Sequence, residues 1–274
     1  MGARAYDDNG SLTKDWQRKG ETDMTNFSYQ LYSSRNWGND ETIAMIGDLG
    51  YAQCEGYGAF YNELDELDTL VANLKAAGLH MKSGHFALDM VENDPERVLA
   101  ICAALNIEHV YVPFLMPDQR PTDAAGWRAF GARLEKAGAP IVAKGLIFGW
   151  HNHDFEFNVL KTGELPQDLI LEGGPSLKFE LDIAWVVRGG KDPIEVIKRY
   201  GKSITAVHVK DIAPAGEKTS EDGWADAGTG TMDWPAIMAA VREYTSADLF
   251  VMEHDNPSDH KRFASVSIEN ARKF

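Results

Sequence analysis

The sequence predicts an α/β fold that consists of a single (β/α)8 TIM barrel, and three observations indicate it. The chain has 274 residues, and eight strand–helix units typically need about 250 residues. From residue 26 onward, short apolar segments typical of strands alternate with segments in which apolar residues recur at helical spacing. The sequence has no Gly-x-Gly-x-x-Gly motif after the first predicted strand, which favours a closed barrel over an open doubly wound sheet.

The first half of the chain supplies four of these units. Asn39 or Asp40 is expected to cap the first helix. Gly78 is expected to end the second helix, which has apolar residues at helical spacing. The four predicted strands are 27–33, 51–56, 80–86 and 110–115, and the helices that follow them are 40–49, 63–77, 95–105 and 124–144.

The second half supplies the other four units. Pro193 lies where a helix begins, a position at which its missing N–H costs no hydrogen bond. Residues 212–232 are expected to form a long loop, either a mobile lid or a tolerated insertion. The predicted strands are 146–155, 177–183, 204–210 and 248–253, with helices at 165–172, from 193, from 234 and at 259–273. Residues 27–274 are therefore the predicted barrel domain, and residues 1–26 a polar N-terminal extension.

The composition limits the classes of partner. The formal net charge of −15 argues against nucleic acid, because phosphate backbones are bound by clustered Lys and Arg. No apolar run is long enough to predict a membrane span, and residues 1–25 lack the apolar core of a secretion signal. Cys54 and Cys102 have no Cys-x-x-Cys spacing, so we expect buried free thiols in a reducing cytosol. The expected location is cytoplasmic, and a homo-oligomer is compatible with this composition.

Four segments of the second half begin as apolar strands and end in residues that can bind metal. They are FGWHNHDFEF (148–157), LKFELDIAW (177–185), ITAVHVKD (204–211) and LFVMEHD (249–255). In a parallel barrel each strand delivers its last side chains to a shared rim. Asp182, His208 and Glu253 are therefore expected to bind one divalent ion, since carboxylates and imidazole suit Mn²⁺, Mg²⁺, Co²⁺ or Zn²⁺. The alternative is that Asp182 and Glu253 are rim charges paired with Lys210 and Arg188.

The fifth strand offers two candidates for a fourth ligand, His151 and Glu156. Strand alternation puts His151 and His153 on one face and Asn152 on the other. Glu156 falls on the second face unless the strand has ended or bulged before it. One of His151 and Glu156 should complete the metal site, and either histidine could instead be a hydrogen-bonded core residue.

Several other residues are expected at the same rim. Glu55 ends strand two and is a candidate substrate contact, and His85 ends strand three and is a candidate catalytic group. Lys210 lies two residues after His208 and so shares its strand face. It could polarise a carbonyl, or it could pair with an acidic neighbour such as Glu180.

The substrate itself is expected to contact side chains beyond the polar rim. Trp185 and Trp224 could stack on a sugar ring, although most tryptophans serve packing. Arg188 is a further candidate for substrate binding.

Together these motifs resemble the xylose isomerase-like TIM barrel superfamily, in particular its sugar phosphate isomerase/epimerase group, which includes inosose dehydratases. HNHDFEF, the stretch from Glu180 to Asp211, VMEHD and GTGTMDWPAI (228–237) are similar to that group's signatures around strands five to eight. The resemblance covers residues 27–274.

The resemblance implies one divalent ion, most often Mn²⁺, bound by four side chains at the barrel mouth. Asp182, His208 and Glu253 match three of those ligands. In the ketose 3-epimerases of this superfamily the strand-five ligand is a Glu, which acts with the strand-eight Glu as two opposed acid/base groups. His151 stands at that position here, so the symmetric mechanism does not transfer unchanged. We expect Glu156 as the ligand, with His151 as the alternative.

The expected activity is that of a metal-dependent sugar isomerase/epimerase. Such an enzyme removes a proton next to a carbonyl of a small sugar or polyol while the metal stabilises the enediolate. His151 and His153 are the expected catalytic groups, together with Lys210 and His85. A dehydratase or lyase acting on an inosose or 3-keto sugar is the alternative, and the His-for-Glu change favours such asymmetric outcomes. A non-catalytic sugar-binding barrel is the alternative from another class.

Overall fold

Eight parallel strands close into a barrel in the computed structural model, which describes residues 27–58, 61 and 67–274. The strands are β1 Phe27–Gln30, β2 Gln53–Gly56, β3 His80–His85, β4 His109–Val112, β5 Ile147–His151, β6 Lys178–Asp182, β7 Ile204–Val209 and β8 Leu249–Met252. Each strand pairs with the next along the chain, and β8 pairs with β1. The predicted (β/α)8 barrel is confirmed.

Helices surround the barrel. They are Asn39–Asp48, Leu67–Ala76, Leu88–Asn93, Pro95–Leu105, Ala124–Ala143, Pro166–Gly173, Ile183–Arg188, Pro193–Tyr200, Trp234–Tyr244 and His260–Ala271. Leu88–Asn93 and Ile183–Arg188 are short additions that the sequence analysis did not predict. The predicted extension 1–26, and residues 63–66 of the predicted second helix, lie outside the described residues. Within the described part of the chain, no helix is long and apolar enough to cross a membrane.

The strands bury different chemistry on their two faces. Phe27 and Tyr29 of β1 belong to the main apolar core, which includes side chains of the helices. Alternation turns Ser28 and Gln30 to the opposite face, and both are fully buried. The barrel interior is therefore partly polar near the mouth.

Strand β5 is shorter than predicted, because it ends at His151 rather than at residue 155. The side chain of Asn152 accepts a hydrogen bond from the backbone N–H of Asp182 (2.9 Å) and donates to the Asp182 carbonyl (3.2 Å). This pair of bonds replaces the next rungs of the β5–β6 ladder. A 3₁₀ turn at Phe155–Phe157 follows and turns Glu156 into the interior, where it is fully buried.

The loop after β7 is ordered around Asp211. Its carboxylate accepts hydrogen bonds from the Trp234 indole (3.1 Å) and from four backbone N–H groups, those of Ile212, Gly228, Gly230 and Met232. A Cβ at position 230 would overlap the Asp211 carboxylate, so this close approach requires glycine. The pairs Asp211–Ile212 and Trp224–Ala225 form a small antiparallel sheet at the base of the loop.

Candidate metal centre

Four side chains from neighbouring strand ends converge at the barrel mouth: His151, Asp182, His208 and Glu253. One donor atom from each lies within 4.8 Å of those of the other three, and all four residues are buried. His151 and Asp182 end β5 and β6, His208 lies near the end of β7, and Glu253 directly follows β8. The carboxyl ends of parallel strands meet at this face of a barrel, which explains why these residues come together.

The donor set fits a divalent metal ion. Two imidazoles and two carboxylates are ligands that Mn²⁺, Co²⁺ and Zn²⁺ accept. Asp182 Oδ1 accepts a hydrogen bond from the backbone N–H of Trp185 (2.9 Å), whereas Asp182 Oδ2 is buried and has no hydrogen-bond partner among the described residues. A buried carboxylate oxygen without a donor is costly unless a cation lies near it. The Lys210 ammonium lies 3.6 Å away, beyond hydrogen-bonding distance, so Oδ2 keeps its lone pairs for an ion. Burial raises the pKa of Asp182 to about 6, although the Lys210 ammonium opposes the rise.

Glu156, the expected strand-five ligand, accepts hydrogen bonds on both carboxylate oxygens. Its Oε1 accepts a hydrogen bond from the Trp150 indole (2.8 Å) and its Oε2 accepts one from the backbone N–H of His153 (3.0 Å). Burial raises its pKa to about 8, against the opposing effect of these donors. The structure therefore brings His151, and not Glu156, to the group that contains Asp182.

Lys210 lies against the carboxylates of this cluster. Its Nζ is 2.6 Å from Asp255 Oδ1, 3.2 Å from Glu253 Oε2 and 3.6 Å from Asp182 Oδ2. Burial lowers the pKa of Lys210, but these three carboxylates outweigh burial and raise it, so the ammonium stays charged. Lys210 is fully buried and does not line the cavity described below, so its contacts are with the carboxylates.

A second polar layer lies against the cluster and contains Glu55, His85, Glu180 and Gln30. Glu180 Oε2 is 2.6 Å from His85 Nε2 and 3.1 Å from His151 Nδ1. Glu55 Oε1 is 2.9 Å from His208 Nε2. Both carboxylates are fully buried. Glu180 lies two residues before Asp182 and therefore on the same strand face, although no role at the site was expected for it from the sequence.

A cavity of about 590 Å³ opens over the cluster. Its volume is within the usual range for small-molecule sites. The polar or charged residues that line it are Tyr32, Arg35, Tyr57, His85, His151, His153, Asp222, Glu253 and Asp255, and Gly58, Pro113, Phe114 and Trp185 complete the wall. His151 and Glu253 thus face both the cluster and the cavity.

His153 lies in the cavity wall among aromatic side chains. Its ring centroid is 5.0 Å from that of Phe114 and 5.1 Å from that of Trp185. Burial, and then the neighbouring His151, hold the pKa of His153 well below its usual value. Its Nδ1 has no hydrogen-bond partner within the described part of the chain. His153 is therefore a neutral imidazole with an unused nitrogen.

Of the remaining residues expected to contact substrate, one lines the cavity and the others do not. Trp185 lines the cavity. Glu55 lies beneath the cavity and does not line it. Arg188 is exposed outside it, with its guanidinium carbon 3.1 Å from the centroid of the Trp224 ring and a hydrogen bond of 2.6 Å to the Asp222 carbonyl. Trp224 is buried and packs against Lys210 and Arg188.

Solved structures share this barrel. A sugar phosphate isomerase/epimerase from Parabacteroides distasonis ATCC 8503 superposes with a TM-score of 0.76 at 20% identity, over 92% of this chain and 95% of that chain. A D-psicose 3-epimerase, solved in the presence of D-fructose, gives 0.67 at 16% identity over 90% and 96%. The IOLI protein, solved with a zinc atom, gives 0.67 at 17% identity over 90% and 95%. At these identities the likeness shows a shared fold.

Sequence comparison gives a short match and a long one. An inosose dehydratase from Clostridium botulinum (strain Alaska E43 / Type E3) is 28% identical over 88 residues, which is 32% of this chain and 29% of that protein. Residues 44–273 match the xylose isomerase-like TIM barrel family, which is most of the chain. The protein described here belongs to the xylose isomerase-like TIM barrel family.

Proposed function

We propose that this chain is a divalent-metal-dependent enzyme that moves a proton next to a carbonyl of a sugar or polyol, as a sugar isomerase or epimerase does. The observation that carries the proposal is the cluster of His151, Asp182, His208 and Glu253 at the base of a cavity of small-molecule size. The proposed metal is Mn²⁺, with Mg²⁺, Co²⁺ or Zn²⁺ as alternatives. When bound, such an ion supplies a Lewis acid for a carbonyl and a neighbouring hydroxyl of the substrate.

The protein groups that would handle the proton line the same cavity. His153 lines the cavity and is neutral, so its imidazole is the proposed general base that accepts the proton from the carbon next to the carbonyl. Asp255 also lines the cavity, with Glu253, and is the second proposed acid/base group. The Lys210 ammonium, 2.6 Å from Asp255 Oδ1, fixes this carboxylate and offsets part of the negative charge.

The acid/base groups that line the cavity are of two chemical kinds, and this supports a second candidate reaction. His153 and His151 contribute imidazoles, whereas Glu253 and Asp255 contribute carboxylates. A symmetric pair of identical acid/base groups is typical of reversible epimerisation, and the unequal pair suits elimination of a hydroxyl or a glycosidic oxygen. Dehydratase or lyase activity on an inosose or 3-keto sugar is therefore the alternative proposal.

Properties of the related proteins support the metal and the substrate class. One solved structure that shares the barrel holds a zinc atom, another was obtained with D-fructose, and a third is a probable 3-DHS dehydratase. The short sequence match is to an inosose dehydratase. The proposed catalytic unit is residues 27–274, with residues 1–26 as an extension outside it, and the proposed setting is the cytoplasm.

A test combines metal analysis with hydrogen exchange. The purified protein is assayed for bound metal, stripped with a chelator and reloaded with Mn²⁺. Each form is then incubated in D₂O with inososes, 3-keto sugars and ketoses, and deuterium uptake and products are read by mass spectrometry. Deuterium uptake that requires the ion is the expected result.

Variants assign the chemistry to the site. Asp182→Asn and Glu253→Gln are expected to abolish metal-dependent exchange, and His153→Asn to slow exchange while the ion still binds. Glu92→Gln alters an exposed ion pair with Arg133 and serves as the control with unchanged activity. Equal exchange by the metal-free and metal-loaded proteins would overturn the proposal, and so would tight sugar binding without exchange on any substrate of the panel.

A further inference from the structure

Two buried carboxylates contact the proposed histidine ligands from behind. Glu180 Oε2 lies 3.1 Å from His151 Nδ1, and Glu55 Oε1 lies 2.9 Å from His208 Nε2. Neither Glu55 nor Glu180 lines the cavity. Their shortest contacts are with imidazoles and with Gln30.

These contacts determine which ring nitrogen of each histidine is available. An ionised carboxylate only accepts hydrogen bonds, so the nitrogen that faces it carries the proton. His151 is thereby protonated on Nδ1 and presents the lone pair of Nε2. His208 donates from Nε2 to Glu55. Its other nitrogen, Nδ1, is 3.0 Å from Oε2 of Glu253, a carboxylate of the proposed metal cluster, so Nδ1 is the nitrogen that would give up its proton and face the ion.

We propose that Glu180 and Glu55 are positioning residues that fix the tautomer and ring orientation of His151 and His208, so that one free nitrogen of each points to the metal centre. Carboxylates commonly act on metal-binding histidines in this way, and their loss weakens metal affinity about 10- to 100-fold. The inference rests on the proposed metal-dependent function, because it assigns His151 and His208 as ligands.

His85 and Gln30 hold the two carboxylates together. The Gln30 amide is oriented by the backbone N–H of Tyr32, which donates to Gln30 Oε1 (3.1 Å), and Gln30 Nε2 donates to Glu55 Oε1 (2.7 Å). The same amide nitrogen is 3.4 Å from His85 Nδ1. His85 Nδ1 is therefore an acceptor, and His85 Nε2 carries the proton that faces Glu180 at 2.6 Å.

The hydrogen bonds between imidazoles and carboxylates argue against a second ion in the deeper layer. His85, His151, Glu180 and His208 are close enough to hold a metal by distance alone. However, each of the three imidazoles donates from one nitrogen to Glu180 or Glu55, so an ion in this layer would have to displace three hydrogen bonds between imidazole and carboxylate. The deeper layer therefore orients the histidines, and we expect the described residues to bind one ion, at the barrel mouth.

Co²⁺ binding tests the proposal without reference to turnover. The metal-free protein and its Glu180→Gln and Glu55→Gln variants are titrated with Co²⁺, and the visible absorption of the bound ion gives affinity and stoichiometry. We expect one Co²⁺ per chain and a 10- to 100-fold weaker Kd in each variant. Glu180→Asp keeps the charge on a shorter side chain and is expected to lie between wild type and Glu180→Gln.

Glu221→Gln is the matched control. Glu221 is also buried and hydrogen-bonded, but its partners are Ser258 and Arg262, away from the imidazoles. A similar loss of affinity in Glu221→Gln would show that general destabilisation, and not histidine orientation, weakens binding. Two ions per wild-type chain, or a Kd within twofold of wild type in folded Glu180→Gln, would also overturn the inference.

NMR of the imidazole nitrogens supplies a measurement that a purely structural role would not change. In the metal-free wild type, ¹H–¹⁵N spectra are expected to show the Nδ1–H form of His151, and Glu180→Leu, which removes both acceptor oxygens, is expected to shift it towards the Nε2–H form. An unchanged tautomer overturns the inference. If the wild type binds no Co²⁺ but the tautomer switches as expected, the positioning role stands and the proposed metal-dependent function fails.

Discussion

Glu221→Gln is expected to destabilise the protein at neutral pH, and less so in acid. Glu221 lies in the 3₁₀ turn Thr219–Glu221 of the loop after β7. Its Oε1 accepts hydrogen bonds from the backbone N–H (2.7 Å) and hydroxyl (2.6 Å) of Ser258 and from the Arg262 guanidinium (2.8 Å). This carboxylate therefore joins the loop to the segment that leads into the last helix, next to the cavity wall.

The lowered pKa of Glu221 gives the size of its contribution to the free energy of unfolding. Burial raises this pKa, but the bonds from Ser258 and Arg262 outweigh burial and lower it from 4.5 to about 2. A difference of about 2.5 pH units corresponds to about 3 kcal/mol of stability. Because the folded-state pKa is lowered, this contribution is complete above pH 4.5 and is lost as the pH falls from 4.5 towards 2. The loss amounts to about 1.4 kcal/mol by pH 3.5.

Urea unfolding at several pH values between 7 and 3.5 measures this dependence. The free energy of unfolding of Glu221→Gln should lie below that of wild type by at most about 3 kcal/mol at pH 7, since glutamine keeps one acceptor. The gap should narrow towards pH 3.5. Glu217→Gln, an exposed change in the same loop, should stay within about 0.5 kcal/mol of wild type. A gap that does not change with pH, or one below about 1 kcal/mol at pH 7, would refute this reasoning.

Three further outcomes are expected. Gly138→Ala places a Cβ against the Phe148 ring, so the free energy of unfolding measured in urea should fall by about 1–3 kcal/mol. A higher free energy of unfolding, which helix propensity alone predicts, would contradict this packing. Mn²⁺ at 100 times its Kd should raise the free energy of unfolding by about 2.7 kcal/mol, measured by thermal unfolding with and without chelator, and Asp182→Asn should remove the effect. Phe114 lines the cavity and is 41% exposed. Phe114→Ala should therefore lower kcat/KM about fivefold, as for a ring contact of about 1 kcal/mol, and leave the free energy of unfolding unchanged. A large drop in the free energy of unfolding would instead indicate a packing role.

The fold could be predicted from the sequence because each unit carries its own local signals. Pro193 begins a helix as expected, with Asp192 as its cap. The convergence of Asp182, His208 and Glu253 follows from a general property of parallel barrels. Neither inference needed the packing of distant side chains.

The details of strand five could not be predicted, because they depend on contacts across the barrel. Asn152 ends the strand by bonding to the backbone of Asp182, thirty residues later. In the turn that follows, the Glu156 carboxylate accepts a hydrogen bond from the Trp150 indole. From the sequence alone, six consecutive residues with several polar side chains allow more than one register, so the choice between His151 and Glu156 required the structure.

The role of Glu180 was missed for a different reason. The segment FELD carries two acids on one strand face, Glu180 and Asp182. Only Asp182 was expected at the metal site, and Glu180 was expected only as an alternative partner of Lys210. In the structure one oxygen of Glu180 contacts both His85 and His151, a contact that strand periodicity alone does not reveal.

The polar layer beneath the barrel mouth sets a condition for anyone who would transplant this centre into another scaffold. His208 contacts Glu253 through one nitrogen and Glu55 through the other, so it joins the mouth to the interior. A graft of the four coordinating side chains onto a barrel filled with branched aliphatic residues would leave the imidazoles free to rotate. The recipient would need to receive the inner acids and Gln30 as well.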